Sequence, residues 1–367
     1  MKFALQREDL LKPLQMVAGV VERRQTLPVL ANVLMVLQDG NLSLTGTDLE
    51  VEITARTTAQ PGAEDGEITV PARKLFDIVR SLPDEANIEI IEENQRVIVK
   101  SGRSRFTLST LPANEFPSVE ESTTALKFAL PGKDLHHLIH CTAFAMAQQD
   151  VRYYLNGMLW EINPESLRLV ATDGHRLALC TREQAIETDA SMQAILPRKG
   201  VVELSRLVND IVEDIQISVG SNHLRITSGD FTFTSKLVDG KFPDYERVLP
   251  RGGDKLVFGN RAELKSAFNR TAILSNEKYR GVRFGLSAGT LTIQANNPEQ
   301  EEAVEEVTVD YGGSELEIGF NVSYLLDVLN VLESETVKIT LADSNSSALI
   351  EEPEGSDAVY VVMPMRL

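Results

Sequence analysis

This chain has little of what usually advertises a function. Only two of its 367 residues are cysteine, and Cys141 and Cys180 fall one on a helix-like and one on a strand-like segment. That is the pattern of reduced thiols rather than of a disulfide framework, and it predicts a cytoplasmic protein. No apolar run approaches the length that crosses a bilayer. Met1-Lys2-Phe3-Ala4 leads into Gln6-Arg7-Glu8-Asp9 without the apolar core of a signal peptide. There is no low-complexity tract, Walker loop, dinucleotide fingerprint or Gly-x-Ser-x-Gly elbow, so nucleotide chemistry and a serine hydrolase have no sequence support. Positive charge is also in the minority: 36 Lys and Arg against 54 Asp and Glu leave a net charge of −18. As a sum this argues against a nucleic-acid partner, but a partner feels the local field, so the distribution decides.

What the chain does have is a repeat, and its length suits two or three domains. A helix-like run opens each third: Phe3 with Leu10, Leu14 and Val17, then Phe128 with Leu135, Leu138 and Ile139, then Phe258 with Leu264, Phe268 and Ile273. Strand-like alternation follows at Leu42-Ser43-Leu44, Leu167-Arg168-Leu169 and Leu291-Thr292-Ile293. Thr47-Asp48, Thr172-Asp173 and Asn296-Asn297 come next, and a second helix starts near Pro71, Pro197 and Asn321. These landmarks recur at intervals of 124 to 126 residues. Two helices among many alternating strands predict an α+β fold of three repeated domains, each with two helices packed on antiparallel sheet. Boundaries are expected at 1–125, 126–253 and 254–367. Pro13 lies inside the first helical pattern and predicts a late start or a bend there, and Pro83 stops the second helix.

Charge is segregated. Arg73 and Arg80 share a helix face, and Lys199 and Arg206 repeat the pair 126 residues later, whereas the third copy has Ser323 and Asn330. With Arg23-Arg24 in a turn, these cations read as a stripe for phosphate contact without base reading. Gln148-Gln149 and Tyr153-Tyr154 make a polar, aromatic loop able to stack on bases. Arg96, Lys100, Arg103 and Arg105 crowd the first copy, while residues 299–306 hold five carboxylates in eight positions of the third. A basic edge and an acidic edge at opposite ends predict head-to-tail association.

Two constellations resemble chemistry. His136, His137, His140 and Cys141 invite a metal, but a metal also needs ligands converging from elsewhere with carboxylates behind them, and Asp134 alone stands near. No metal and no cofactor are expected. Thr172-Asp173-Gly174-His175-Arg176 pairs Asp with His, yet the equivalent Thr47-Asp48 marks it first as a turn of the repeat. A hydrolase using Asp173 and His175 and a monomeric DNA-binding regulator are the rival readings.

Longer stretches carry a resemblance. They include Leu44-Thr45-Gly46-Thr47-Asp48-Leu49-Glu50, Val70-Pro71-Ala72-Arg73-Lys74, Ser101-Gly102-Arg103-Ser104-Arg105-Phe106, Asp150-Val151-Arg152-Tyr153-Tyr154-Leu155-Asn156-Gly157-Met158, Ala171-Thr172-Asp173-Gly174-His175-Arg176-Leu177, Lys241-Phe242-Pro243-Asp244-Tyr245, Ile273-Leu274-Ser275-Asn276-Glu277-Lys278 and the terminal Met363-Pro364-Met365-Arg366-Leu367. In order and from end to end, the chain resembles the bacterial DNA polymerase III beta-subunit family, the replicative sliding clamps, in its gammaproteobacterial form.

The resemblance implies a non-catalytic processivity factor, a homodimeric ring of six domains around double-stranded DNA. It implies DNA contacts at Arg24, Arg73, Gln149, Tyr153 and Tyr154, to which the repeated basic pair adds Lys199. A dimer seam would join Lys74, Phe106 and Leu108 to Ile273, Leu274 and the acidic run, with Glu299 and Glu302. A groove for short peptide motifs would use Leu155, Thr172, Gly174, His175, Arg176, Leu177, Pro243, Arg247, Val248, Tyr324, Ser347, Val361, Met363, Pro364, Met365, Arg366 and Leu367. Asn345 stands where an aliphatic rim residue is expected. The implied partners are the DNA polymerase III alpha subunit, the clamp loader, and other polymerases and repair proteins.

Overall fold

In each third of the chain a strand runs straight into a helix, twice. The computed structural model describes residues 1–21, 27–117 and 124–366; Arg23, Arg24 and Leu367, named above, lie outside the described residues. Strands Lys2–Gln6 and Gly66–Pro71 feed helices α1 (Arg7–Ala18) and α2 (Ala72–Ser81). Thr124–Pro131 and Met192–Pro197 feed α3 (Gly132–Thr142) and α4 (Arg198–Val208). Lys255–Asn260 and Leu316–Asn321 feed α5 (Arg261–Ala272) and α6 (Val322–Val331). The third copy caps both of its helices with asparagine: Asn260 accepts from the Glu263 N–H and Asn321 from the Ser323 N–H. Helix α2 stops at Ser81, one residue before the expected end and two before Pro83.

The first helix departs from expectation. It begins at Arg7 and runs through Pro13 rather than starting late. Proline removes one N–H from the ladder, and the cost is met by burial of Leu10, Pro13, Leu14 and Val17 along one stripe.

Contacts group the chain into two units, Met1–Lys133 with Lys199–Leu237, and Asp134–Arg198 with Val238–Leu367. The reason lies in the sheets, whose pairs are all antiparallel. In the first unit an eight-stranded sheet crosses from copy one to copy two where Val51–Thr58 pairs with Phe231–Lys236, in register Ala55 to Phe231 and Val51 to Ser235. In the second unit a twelve-stranded sheet makes the same junction between copies two and three. There Arg176–Glu183 pairs with Ala358–Val362, Arg176 opposite Val362 and Cys180 opposite Ala358.

The equivalent strands of the outer copies lack that partner. Ser104–Ser109 is the edge of a four-stranded sheet whose order is Lys2–Gln6, Asn87–Glu93, Arg96–Ser101, Ser104–Ser109. Glu302–Asp310 pairs along one side with Thr290–Asn296, and on the other touches Lys255–Asn260 only through Asp310 and Val309.

The Thr-Asp landmarks are one turn built twice. The Leu49 N–H donates to Thr47 Oγ1 (3.1 Å), and Asp48 Oδ1 accepts from the Glu50 and Val51 amides at 2.9 and 2.7 Å. In the second copy the Gly174 N–H donates to Thr172 Oγ1 (3.1 Å), and Asp173 Oδ1 accepts from the His175 and Arg176 amides at 2.9 and 3.1 Å. The central residue is left-handed in both, with φ 78° at Leu49 and 89° at Gly174. A left-handed leucine costs about 1–2 kcal/mol, and glycine costs about 0.5–1 kcal/mol in chain entropy. Leu49→Gly should therefore raise stability by about 0.5–1 kcal/mol. A denaturant midpoint that falls would show that the leucine side chain matters more than its strain.

Candidate functional site

The second copy's turn carries more than its counterpart. Arg176, its last residue, has a largely buried side chain that pairs with Asp173 (3.1 Å) and Asp327. It also donates to the Phe144 carbonyl at 2.9 Å. The guanidinium stands 4.5 Å above the Tyr324 ring and 5.4 Å from that of Phe144. The His175 ring stacks on that of Tyr324, with ring centroids 6.4 Å apart. The carbonyl of His175 accepts the Met363 N–H at 2.9 Å, which lays the C-terminal tail along the turn.

The carboxylate of Asp173 is committed to two backbone amides and to Arg176, and it makes no hydrogen bond to the His175 ring among the described residues. No Asp–His dyad forms there, so the catalytic reading loses its geometry. Chain geometry adds a further constraint at Gly174. A Cβ there would meet the Arg152 guanidinium at 3.0 Å, and that group is held by Asp150 and the Asp173 carbonyl.

Beside this turn lies an apolar floor. Leu155, Leu177 and Val361 are buried with Ala147, Leu179, Phe242 and Tyr245, and Tyr154 packs against them. These residues shape the floor from beneath instead of lining open space. The Tyr245 hydroxyl donates to Glu161 and accepts from Arg168 (2.9 Å). Its pKa is pushed up to about 12, first by burial and then by the Glu161 carboxylate.

An open groove of about 680 Å³ runs next to Tyr245. It is lined by Asp244, Glu246, Arg247, Val248, Leu249, Pro250 and Arg251 on one side and Ala342, Asn345, Ser346, Ser347 and Met363 on the other. Arg247, Val248, Ser347 and Met363 of the expected set are there, and Asn345 lines it too. Exposed Pro243 sits between the floor residue Phe242 and the rim residue Asp244. Leu249, Pro250 and Ala342 were not foreseen, because a loop residue's contact with a segment some 90 positions away leaves no local pattern.

Met365 and Arg366 follow Met363 along the tail. The Met365 N–H donates to the Gly319 carbonyl (2.8 Å), which carries the tail past Pro364 onto the third copy. Both residues line a second hollow, of about 740 Å³, with Asn276, Tyr279, Gly281, Arg283, Gln294 and Asn297 among its walls.

The cationic stripe is thinner than the sequence implies. Lys199 is held by Asp48 at 2.5 Å. Arg206 binds Glu203 (2.6 Å) and two α1 carbonyls, and Arg80 binds Asp77 at 3.0 Å. A cation already paired with a carboxylate presents a weaker net field. Arg73 is exposed and makes one hydrogen bond, to the Val21 carbonyl at 3.3 Å, with no ion pair among the described residues. Tyr153 is exposed and meets Tyr154 edge-on, and Gln149 is exposed in a left-handed conformation.

At the two open strand edges, Ile273 is 75% exposed and Leu274 is half-buried, while Glu299 and Glu302 are exposed. Arg270 forks onto Glu305 at 2.7 and 2.8 Å, which lowers that carboxyl's pKa. On the other edge Lys74 is exposed, Phe106 is half-buried, and Leu108 is already 7% exposed within its own unit.

Of the histidines, His136 and His140 stack on each other with centroids 6.1 Å apart. His137 faces Asp357 instead. Among the described residues no helix is long and apolar enough to cross a membrane.

Comparison with known proteins accounts for this arrangement. Residues 1–120 match the N-terminal domain of the DNA polymerase III beta subunit, 129–244 its central domain and 246–366 its C-terminal domain. The chain is 64% identical to the beta sliding clamp of Pseudomonas aeruginosa and 55% identical to that of Escherichia coli K12, over the full length of both chains in each case. A crystal structure of the DNA polymerase sliding clamp from Pseudomonas aeruginosa superposes with a TM-score of 0.97, covering both chains completely at 64% identity. The Caulobacter crescentus pol III beta structure, at 39% identity, also covers both chains completely and gives 0.93. The chain therefore belongs to the DNA polymerase III beta-subunit family, the sliding clamps.

Proposed function

We propose that this sliding clamp works as a ring-shaped homodimer that encircles duplex DNA and tethers the replicative polymerase by short peptide motifs. The observation that carries the reading is the pair of open edges. Each chain makes one kind of strand junction twice, and it leaves Glu302–Asp310 and Ser104–Ser109 without the partner that junction supplies. A second copy provides both missing strands, head to tail, so two chains of three domains (1–125, 126–253 and 254–367) close with six equivalent junctions. Carboxylates Glu299, Glu302 and Glu306 then meet Arg96, Lys100, Arg103 and Arg105, and Ile273 and Leu274 cover Phe106.

Within the ring, Arg24, Arg73, Gln149, Tyr153 and Tyr154 make weak, sequence-independent contacts with the duplex. Lys199 joins them by exchanging Asp48 for phosphate. Enclosure supplies retention, so a net charge of −18 is no obstacle and sliding is preserved. A tethered polymerase gains effective concentration at the primer end without any catalytic group on the clamp. The groove beside Tyr245 and Met363 takes the motifs of the polymerase III alpha subunit, the clamp loader, and other polymerases and repair proteins. A Pseudomonas aeruginosa clamp has been solved bound to griselimycin, which is in keeping with a ligand-accepting surface on this scaffold. Such a replication factor operates in the cytoplasm.

Topology gives the test. Clamp loaded on closed circular DNA should persist in high salt and leave once the circle is cut. A purely electrostatic binder with 6–10 phosphate contacts would instead lose about 10³–10⁵ in affinity between roughly 50 and 200 mM salt, on either form of DNA. Equal loss from circular and linear DNA would sink the proposal.

A further inference from the structure

Two things spoke against a metal at α3: the sequence brought neither ligands from elsewhere nor a second carboxylate to it. Tertiary structure brings both. Cys141 in the last turn of α3, His137 one turn earlier, and Cys180 on the strand Arg176–Glu183 place their donor atoms within 4.8 Å of one another. Cys141 Sγ lies 3.8 Å from His137 Nδ1 and 3.7 Å from its Nε2. Tetrahedral zinc, with metal–sulfur and metal–nitrogen bonds near 2.3 and 2.0 Å, sets its sulfur and nitrogen ligands about 3.5 Å apart. The Cys141–His137 separation is a few tenths of an ångström longer than that.

The surroundings also fit a cation better than a disulfide. Asp357, immediately before the strand Ala358–Val362, sets its carboxylate 3.0 Å from His137 Nε2. That is the carboxylate–imidazole relay which orients a metal-binding histidine and leaves Nδ1 free to ligate. Tyr360 is fully buried and its hydroxyl has no hydrogen-bond partner. It lies on the strand paired with Arg176–Glu183, two residues beyond Ala358, the register partner of Cys180. A buried O–H without an acceptor is costly beside a neutral thiol and satisfied beside a metal-bound thiolate. Both sulfurs are shielded from solvent oxidants, while His137 and Asp357 are partly exposed and offer a cation its entry.

We propose that His137, Cys141 and Cys180 bind one thiolate-preferring divalent cation of the zinc class, with Asp357 orienting His137 and Tyr360 donating to the Cys141 sulfur. The two thiols give up their protons on binding, and no electron transfer is involved. The cation would pin α3 to the strand pair that joins copies two and three, three residues from the Leu177 floor of the groove.

The test uses the reduced, chelator-treated full-length chain titrated with cobalt(II) and then zinc(II). One equivalent of cobalt should raise a thiolate-to-metal charge-transfer band and the visible absorption of tetrahedral cobalt, and zinc should abolish both. Cys141→Ser and Cys180→Ser should each remove the charge-transfer intensity of the full site. Asp357→Asn should weaken binding about 10- to 100-fold while keeping the spectrum. The chain has only two cysteines, so a stoichiometric thiolate band has no other source, and the unmodified protein decides even if a serine variant misfolds. Absence of the band in reduced protein, or its survival in both serine variants, would overturn the proposal.

Discussion

Replacing Ile273 by arginine is expected to convert a particle of twice 40.5 kDa into one of 40.5 kDa. Ile273 follows α5 and is 75% exposed, an apolar side chain with no cover in its own chain. Covering an isoleucine is worth about 1.5–3 kcal/mol. A closed ring of two chains uses the seam twice, so one substitution acts at both places and removes about 3–6 kcal/mol before the charge is considered. At about 1.4 kcal/mol per tenfold, the dimer should weaken by at least 10²- to 10⁴-fold. Light scattering on dilute protein reads the mass directly. Thermal unfolding of the isolated chain should change little, because the side chain is already in water there. A variant that stays dimeric at nanomolar concentration would place the seam elsewhere, and with it the whole ring.

The second large effect lies at Arg176. Its side chain is 12% exposed and joins Asp173, Asp327, the Phe144 carbonyl and two aromatic faces. Arg176→Ala leaves two carboxylates without their cation and removes the slab against which Tyr324 rests. Breaking a buried pair from one side costs about 3–5 kcal/mol, and the half-open position of Asp327 puts this site near 3 kcal/mol. Denaturant unfolding of the variant should show that loss. Peptides carrying clamp-binding motifs should bind at least tenfold more weakly, since the turn that holds His175 and Met363 slackens. Arg176→Lys should recover charge but not the fork, leaving most of the defect in place. Full peptide affinity in the alanine variant would mean that the groove works independently of this turn.

The sequence was most informative where physics is local or periodic. Helix stripes such as Leu10, Leu14 and Val17 and alternations such as Leu42-Ser43-Leu44 lie on the elements they predicted. Hydrophobic period and backbone geometry are set by the same few residues, and three copies state each pattern three times. Pro13 misled because its local cost was outweighed by burial that no window reveals. The partners of Lys199 and Arg206 in that stripe, Asp48 and the α1 carbonyls, were invisible because they are far away in sequence. The hydrogen bond from the Met365 N–H to the Gly319 carbonyl, 46 positions away, likewise left no mark in the sequence.

The chain's own order of residues thus determined that there are three α+β copies, where the second helix of each begins, and which turn departs from the repeat at Gly174 and Arg176. Only the folded structure decided which edges stay open, which cations are already paired, and that Cys180 and Asp357 reach His137 and Cys141. The difference has one physical cause. Periodicity and turn chemistry act between neighbours along the chain, whereas pairing of edges, charges and thiols acts between neighbours in space, up to 220 positions apart in the case of His137 and Asp357.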